Sequence, residues 1–277
     1  MSTVPSLVMN NGLQIPQIGF GVFLVPPEET QEAVTEALKT GYRLIDTAQG
    51  YRNEEGVGAA IAQSDVPLDE LFITTKLTNS EHGYDSTLTA FDGSMKKLGI
   101  EVLDLFLIHW PLPMFDQYVE TWRALEKLLS EGRVRSIGVS NFEIPHLQRL
   151  MAETDVTPAI NQVELHPQFP QEELREFHAE HGILTESWGP LSQGKGLLED
   201  PSIVEVARRK DRTPAQVVLR WHIQVGCVVI PKSVRPERMR ENFDIFDFEL
   251  DDADMAEISK VRTGQRLGAD PNVFAMR

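Results

Sequence analysis

The sequence predicts an α/β protein whose eight parallel strands close into a (β/α)8 TIM barrel with an N-terminal β-hairpin and a short C-terminal tail. Three observations predict it. Strand-like runs recur at intervals of about 25 to 32 residues, with helical patterns between them. Several of these runs are apolar throughout, as a parallel sheet covered on both faces requires. The length, 277 residues, is close to the roughly 250 that such a barrel uses as one unit. A doubly wound open sheet is the alternative. No Ser/Gly tract, charge block or low-complexity segment interrupts the chain, so residues 1–277 read as a single domain.

The elements follow in order. A hairpin turns at Asn11-Gly12, a dipeptide suited to positive φ. The strand candidates are QIGFG, RLID at 43–46, LFITTK at 71–76, LDLFLIH at 103–109, VRSIGVSN at 134–141, AINQ at 159–162, ILTESW at 183–188 and CVVI at 227–230. Between them, PEETQEAVTEALKTG opens with acids and ends with Lys39 and Gly41, which suits the helix dipole and the C-terminal glycine preference. NEEGVGAAIAQS, DSTLTAFDGSMKKLG, QYVETWRALEKLLSEG and QEELREFHAEHG follow the same plan. Asp85 and Thr213 stand at N-cap positions, the latter with Pro214 at the first helical residue.

Composition narrows the function. Twenty-six Lys+Arg against 42 Asp+Glu leave a net charge of −16, which disfavours nucleic acid as a partner. One cysteine, Cys227, leaves no internal disulfide and no Cys-clustered metal site. There is no basic leader with an apolar run, and no run of about 18 apolar residues. A cytoplasmic monomer acting on a small molecule, away from membranes, is expected.

In such barrels function collects at the carboxyl ends of the strands. Those ends carry Asp46, Lys76, His109, Asn141, Gln162, Trp188 and Lys232. Singly, each has an ordinary explanation. Asp46 could cap a helix, Lys76 could reach solvent along its own stem, His109 could be a structural donor, and Tyr51 could cover the core. Seven on one rim are hard to explain by packing. Together, a lysine held by an aspartate beside a phenol should lower the phenol's pKa, and a neighbouring histidine could orient a carbonyl. That set suits protonating a carbonyl as it becomes an alkoxide.

Such a reduction needs a hydride source. No strand is followed by GxGxxG, and Gly56-Val57-Gly58 lies in a helical pattern. The Tyr–Lys pair four residues apart is missing too, since Glu55 follows Tyr51 at that offset. Ser140, Asn141 and Gln162 instead offer amide-type partners for a carboxamide, and Trp188 offers a flat face. Ile230 to Arg235, with Arg238 one turn on, sets cations and backbone amides at the start of the last helix, an anion site of a kind barrels use. Taken alone, Arg235, Arg238 and Arg240 would be a solvated helix face.

DTAQGYRNE, the lysine ending LFITTK, LIHWP, GVSNF, NQVELHP, ESWGPL and IPKSVRPERMREN resemble the aldo-keto reductase family, in the family's order, over roughly residues 5 to 270. ESWGPL and the compact length point to bacterial members of the 2,5-diketo-D-gluconate reductase type. The resemblance implies NADPH-dependent reduction of aldehydes and ketones without a metal, on diketo sugar acids or small dicarbonyls. It implies Tyr51 as proton donor, Lys76 and Asp46 as its tuning pair, and His109 as the carbonyl's guide. Ser140, Asn141 and Gln162 would hold the carboxamide, with Trp188 stacked on the nicotinamide. Gly189, Leu191, Gln193, Gly194 and Lys195 would fold over the pyrophosphate. Ile230, Lys232, Ser233, Val234, Arg235, Arg238 and Asn242 would take the adenosine end. Phe23, Thr78 and Trp110, with Tyr51 and His109, would line the substrate.

Departures from the family's pattern cluster near the substrate. Thr78 stands where many relatives have an aromatic, Trp188 where animal members have tyrosine, and Gln49-Gly50 and Arg52 flank Tyr51. The tail RLGADPNVFAMR is short, which reduces the loop that narrows substrate choice. Three other functions compete. Lys76 could form a Schiff base as in a class I aldolase, though that chemistry has no use for the cations at 232–238. A metal hydrolase lacks ligand spacing around His109, and His178 and His181 fall on a solvent-side helix pattern. The barrel could also be a non-catalytic, cofactor-sensing module, against which the complete set of four residues argues.

Overall fold

The computed structural model describes residues 4–276. Strands β1 (Ser6–Val8) and β2 (Gln14–Pro16) form the antiparallel hairpin, with Gly12 at φ 84° in its turn. Eight parallel strands follow: β3 (Gly19–Gly21), β4 (Leu44–Asp46), β5 (Phe72–Leu77), β6 (Leu103–Ile108), β7 (Val134–Ser140), β8 (Ile160–Glu164), β9 (Leu184–Trp188) and β10 (Val228–Val229). They pair in sequence order. A parallel bridge from Ile18 to Val229 joins the first strand to the last and closes the ring. The barrel is therefore the observed fold, and the open sheet is not.

Alternate residues fill the two sides of each strand. Leu44, Phe72, Leu105, Leu107, Ile160, Val228 and Ile230 pack inside the barrel, together with Ile15 of the hairpin. The hairpin covers the amino end: Asn11 Nδ2 donates to Arg135 O (3.1 Å) and to Ser136 Oγ (2.7 Å). Outside, Phe20, Ile45, Ile73, Phe106, Ile137 and Val163 meet the helices. With the amino end covered, the buried polar side chains Asp46, Lys76, Gln162 and Glu186 sit toward the carboxyl ends of their strands, at the open rim.

The helices show where local sequence rules held. Helix α1 (Pro27–Thr40) has Glu28 and Glu29 in its first turn, Lys39 in its last and Gly41 beyond. Gly56 and Gly58 lie within α2 (Glu54–Ala62). Asp85 is not a cap. Gly83 occupies that position before α3 (Tyr84–Leu98), and Asp85 lies in the first turn, where its charge still favours the helix end. Helices α4 (Tyr118–Ser130) and α5 (Ile144–Glu153) precede α6 (Glu172–Glu180). His178 of α6 is not on a solvent-side face. It is fully buried, in contact with Asn161 Nδ2 (3.0 Å) and Thr185 Oγ1 (2.9 Å), whereas His181 is exposed. After α7 (Pro201–Lys210), Thr213 caps α8 (Pro214–Gln224) in a reciprocal box with Gln216. The cationic segment opens α9 (Pro236–Phe243), which is not the last helix, because α10 (Asp252–Ser259) follows. No described helix is long and apolar enough to cross a membrane.

Candidate active site

Asp46 ends β4, and the chain then makes one 3₁₀ turn, Gln49–Tyr51, that lifts Tyr51 onto the rim. This loop is clipped on both sides. Thr47 Oγ1 donates to Asn53 Oδ1 (2.8 Å), and Asn53 Nδ2 donates to Val22 O (3.0 Å). Gln49 Nε2 donates to Ala90 O (2.9 Å) and Ser94 Oγ (2.8 Å), while its Oε1 accepts from Thr78 N (2.9 Å). Gln49 thus ties the loop that presents Tyr51 to both α3 and the end of β5.

Lys76 is completely buried. Its Nζ donates to Asp46 Oδ1 (2.6 Å) and Thr47 O (2.9 Å), and lies 5.1 Å from the centre of the Tyr51 ring. Burial would lower Lys76, but Asp46, Tyr51 and the hydrogen bond hold it above its ordinary value. It therefore stays an ammonium at neutral pH. A Schiff-base lysine must be a free amine to attack, so this geometry disfavours the aldolase chemistry.

His109 follows β6. Its ring stands edge-on to Tyr51, with centres 5.7 Å apart. Burial, aided by Lys76 and His82, pushes its pKa down to about 3, so it is a neutral imidazole with one N–H to give. The phenol itself departs from expectation. Burial raises Tyr51 above its ordinary value; Lys76 pulls it back, but Asp46 and Glu186 oppose that pull. The net direction is up, because desolvating a phenolate outweighs one nearby cation that is already shared with a carboxylate.

The next strand ends form one connected network. Asn141 takes a left-handed conformation at φ 63°, which asparagine tolerates, just past β7. Its Nδ2 donates to His109 O (2.9 Å), and its Oδ1 accepts from Trp188 Nε1 (2.8 Å). Ser140 Oγ donates to Gln162 O (2.8 Å). Gln162 Nε2 donates inward, to Asp46 Oδ2 (2.9 Å) and Glu186 Oε2 (3.0 Å). Glu186, which sequence reasoning did not single out, is the fourth polar group of this interior layer.

Beyond Trp188, the loop with Gly189, Leu191, Gln193, Gly194 and Lys195 winds through left-handed backbone at Gly189, Ser192, Gln193 and Gly194. Ile230 is buried at the barrel's inner edge, and Ser233 and Asn242 are buried beside exposed Val234. Lys232, Arg235 and Arg238 are exposed. Neighbouring Arg240 pairs with Glu36, but these three make no ion pair among the described residues. An anion at this helix start would therefore displace no carboxylate.

The substrate side holds Phe23 against Tyr51 (5.0 Å between centres), Thr78, and Trp110 against Phe274 (4.3 Å). The short tail packs onto this side through contacts that the sequence reading did not address. Leu267 N and Gly268 N donate to Glu164 (2.6 and 2.7 Å), Arg266 pairs with Glu143, and Asn79 Nδ2 donates to Met276 O (2.8 Å). Gly268 lies so close that a Cβ there would sit 2.6 Å from Trp188 Cη2 and 2.8 Å from Glu164 Oε2. Gly268→Ala should therefore displace either the tail or the indole. We expect KM for an aldehyde to rise several-fold, with a shift in tryptophan emission; unchanged values for both would show that the contact relaxes without consequence.

Fold and site together define a closed parallel α/β barrel with Asp46, Tyr51, Lys76 and His109 gathered at its carboxyl rim. The aldo/keto reductase family model matches residues 17–263. An aldo-keto reductase of Mycolicibacterium smegmatis is 55% identical over 270 residues, 98% of each chain. The methylglyoxal reductase DkgA of Escherichia coli is 49% identical over 275 residues, 99% of each chain. The crystal structure of a point mutant of Gox0644 in complex with NADPH superposes with a TM-score of 0.95 at 53% identity, covering 99% of each chain. The chain belongs to the aldo/keto reductase family.

Proposed function

We propose that the protein reduces aldehydes and ketones to alcohols with NADPH, as a cytoplasmic monomer of one domain, with Tyr51 as the proton donor. The observation that carries this is the buried Lys76–Asp46 pair beneath a phenol, with a neutral imidazole edge-on to that phenol. NADPH, when bound, supplies the hydride. The chain's own residues do the rest. His109 gives its N–H to the carbonyl oxygen and orients it toward Tyr51. The phenol is protonated at neutral pH, as an ordinary phenol is, and burial holds it further in that form. It gives its proton only when negative charge develops on that oxygen, since an alkoxide is a stronger base than a phenolate. Lys76 then faces the phenolate, and Asp46 keeps Lys76 charged and fixed.

Ser140, Asn141 and Gln162 would hold the carboxamide, and Trp188 the ring. The loop from Gly189 to Lys195 would cover the pyrophosphate. Lys232, Ser233, Val234, Arg235, Arg238 and Asn242 would hold the phosphorylated adenosine, with Ile230 beneath. The rim's Phe23, Trp110 and Phe274, and the likeness to a methylglyoxal reductase, favour small dicarbonyls over bulky substrates. Loss of NADPH absorbance with methylglyoxal, diketo sugar acids, aromatic aldehydes and β-keto esters tests this. No turnover of any of them would instead favour a cofactor-sensing barrel.

Cofactor choice gives a separate test. NADPH differs from NADH by one phosphate, so discrimination needs charge at that point. A charge-assisted contact to phosphate contributes about 1.5–3 kcal/mol, roughly tenfold or more in affinity. Lys232→Ala and Arg238→Ala should each weaken NADPH binding by at least about tenfold and NADH binding little. Added salt should narrow the preference, because these side chains are exposed. Fluorescence titration with both cofactors reads the result. Equal affinities in the parent protein would reduce the segment to a solvated helix face.

A further inference from the structure

Glu186 sits where a barrel strand presents apolar residues. Along β9, Leu184 and Trp188 pack with the inner cluster, and Glu186, between them in the same alternation, is fully buried. Its strand neighbours in register are Gln162 on β8 and Val228 on β10. It has no cation of its own, since Lys76 is bonded to Asp46. Its Oε2 accepts from Gln162 Nε2, and its Oε1 has no hydrogen-bond partner among the described residues. A buried carboxyl with an orphaned oxygen costs stability, so this position calls for a functional account.

We propose that Glu186 is a positioning residue for the reduction, acting through the Gln162 amide on the Asp46–Lys76–Tyr51 chain and on the carboxamide of the bound cofactor. The geometry works as a clamp. A primary amide has two N–H groups, and Gln162 commits its nitrogen to Asp46 and Glu186 together. Flipping the amide would set its oxygen against the Asp46 carboxylate and take its N–H from Glu186 Oε2. Gln162 Oε1 is therefore the atom held ready for a ligand's N–H. Without Glu186 the amide keeps one anchor and can turn.

Charge supports the same role. The charged and titratable groups facing Glu186 are Asp46 on β4, Lys76 on β5 and Tyr51 beyond β4; Gln162 and Val228 carry none. Burial and Asp46 raise the Glu186 carboxyl well above its usual range, against the pull of Gln162 and Lys76. At neutral pH it is a neutral acid, which leaves Asp46 as the single counter-charge to Lys76. The folded protein thus binds a proton that the unfolded chain releases near pH 4.3. Stability should fall as pH rises from that value toward the raised one. Ionised, Glu186 pushes the phenol further up.

The role rests on Tyr51 as proton donor, and the test separates the two. Glu186→Leu should raise the NADPH Kd about tenfold, the cost of one loosened hydrogen bond. Glu186→Gln, whose oxygen can still accept from Gln162, should restore it to within about threefold. From about pH 5 upward, the melting temperature of the free parent protein should fall relative to Glu186→Gln, and the alkaline limb of the variant's reduction profile should move to lower pH. Parent-like NADPH affinity in Glu186→Leu, or the same melting slope in Glu186→Gln as in the parent, overturns the proposal. If Glu186→Leu does not fold, NADPH affinity is read in Glu186→Met, whose side chain is close in volume and cannot accept from Gln162, with the same loss of about tenfold expected and parent-like affinity overturning the proposal. Tyr51→Phe should keep both NADPH affinity and melting slope. Its full turnover would discard the proton donor while leaving the Glu186 measurements to stand.

Discussion

Tyr51→Phe should bind NADPH as the parent does and lose turnover by about 10²–10⁴-fold, the usual contribution of a positioned acid. Only the hydroxyl group is removed. The ring, packed against Phe23 and edge-on to His109, can stay where it is. Lys76 keeps its hydrogen bonds to Asp46 and Thr47, so folding stability should change little. His109 is the competing acid, and its neutral imidazole N–H is too weak an acid to substitute well. Steady-state rates with a well-behaved aldehyde, beside a fluorescence titration, check the split between kcat and binding. Near-parental kcat would remove Tyr51 from the mechanism.

The rim was legible in the sequence because strand ends are fixed by apolar runs. Once LFITTK and LDLFLIH are strands, Lys76 and His109 must emerge on one end of the barrel. The rest needed parity or distance. Glu186 shares its face with Trp188 two residues on, so the alternation in ILTESW placed it inward; a lone acid in a strand still reads as a polar edge residue. His178 shares a helix face with Leu174, four residues earlier, and both are buried. Asp85 failed as a cap because the preceding glycine, at φ 115°, takes the turn into α3. The tail's contacts join an irregular segment to residues about 100 or more positions away, as Gly268 to Glu164 at the end of β8 does, and no periodicity encodes them. The direction of the Tyr51 shift was lost for a different reason. The cation was visible in the sequence, but the burial that outweighs it was not.

Lys76→Met should abolish most activity and also destabilise the fold. The two losses have one origin. Lys76 Nζ is the partner of Asp46 Oδ1 in a pair with side-chain exposures of 0% and 3%. Methionine nearly matches the lysine stem in shape but leaves the Asp46 side chain, among the described residues, with Gln162 alone as its hydrogen-bond donor. Breaking a buried pair by removing one partner costs about 3–5 kcal/mol, enough to lower the melting temperature measurably. Activity must therefore be compared at equal folded fraction. The chemical loss follows from charge. Without the ammonium, burial, Asp46 and Glu186 all act to raise the phenol, and the phenolate left after proton transfer has no cation to face. The barrier rises even though the phenol is still protonated. Asp46→Asn in the same background separates the effects, since it removes the stranded carboxylate. The double variant should recover stability and stay slow. A folded Lys76→Met protein with parental kcat and an unchanged pH profile would show that the pair is structural only.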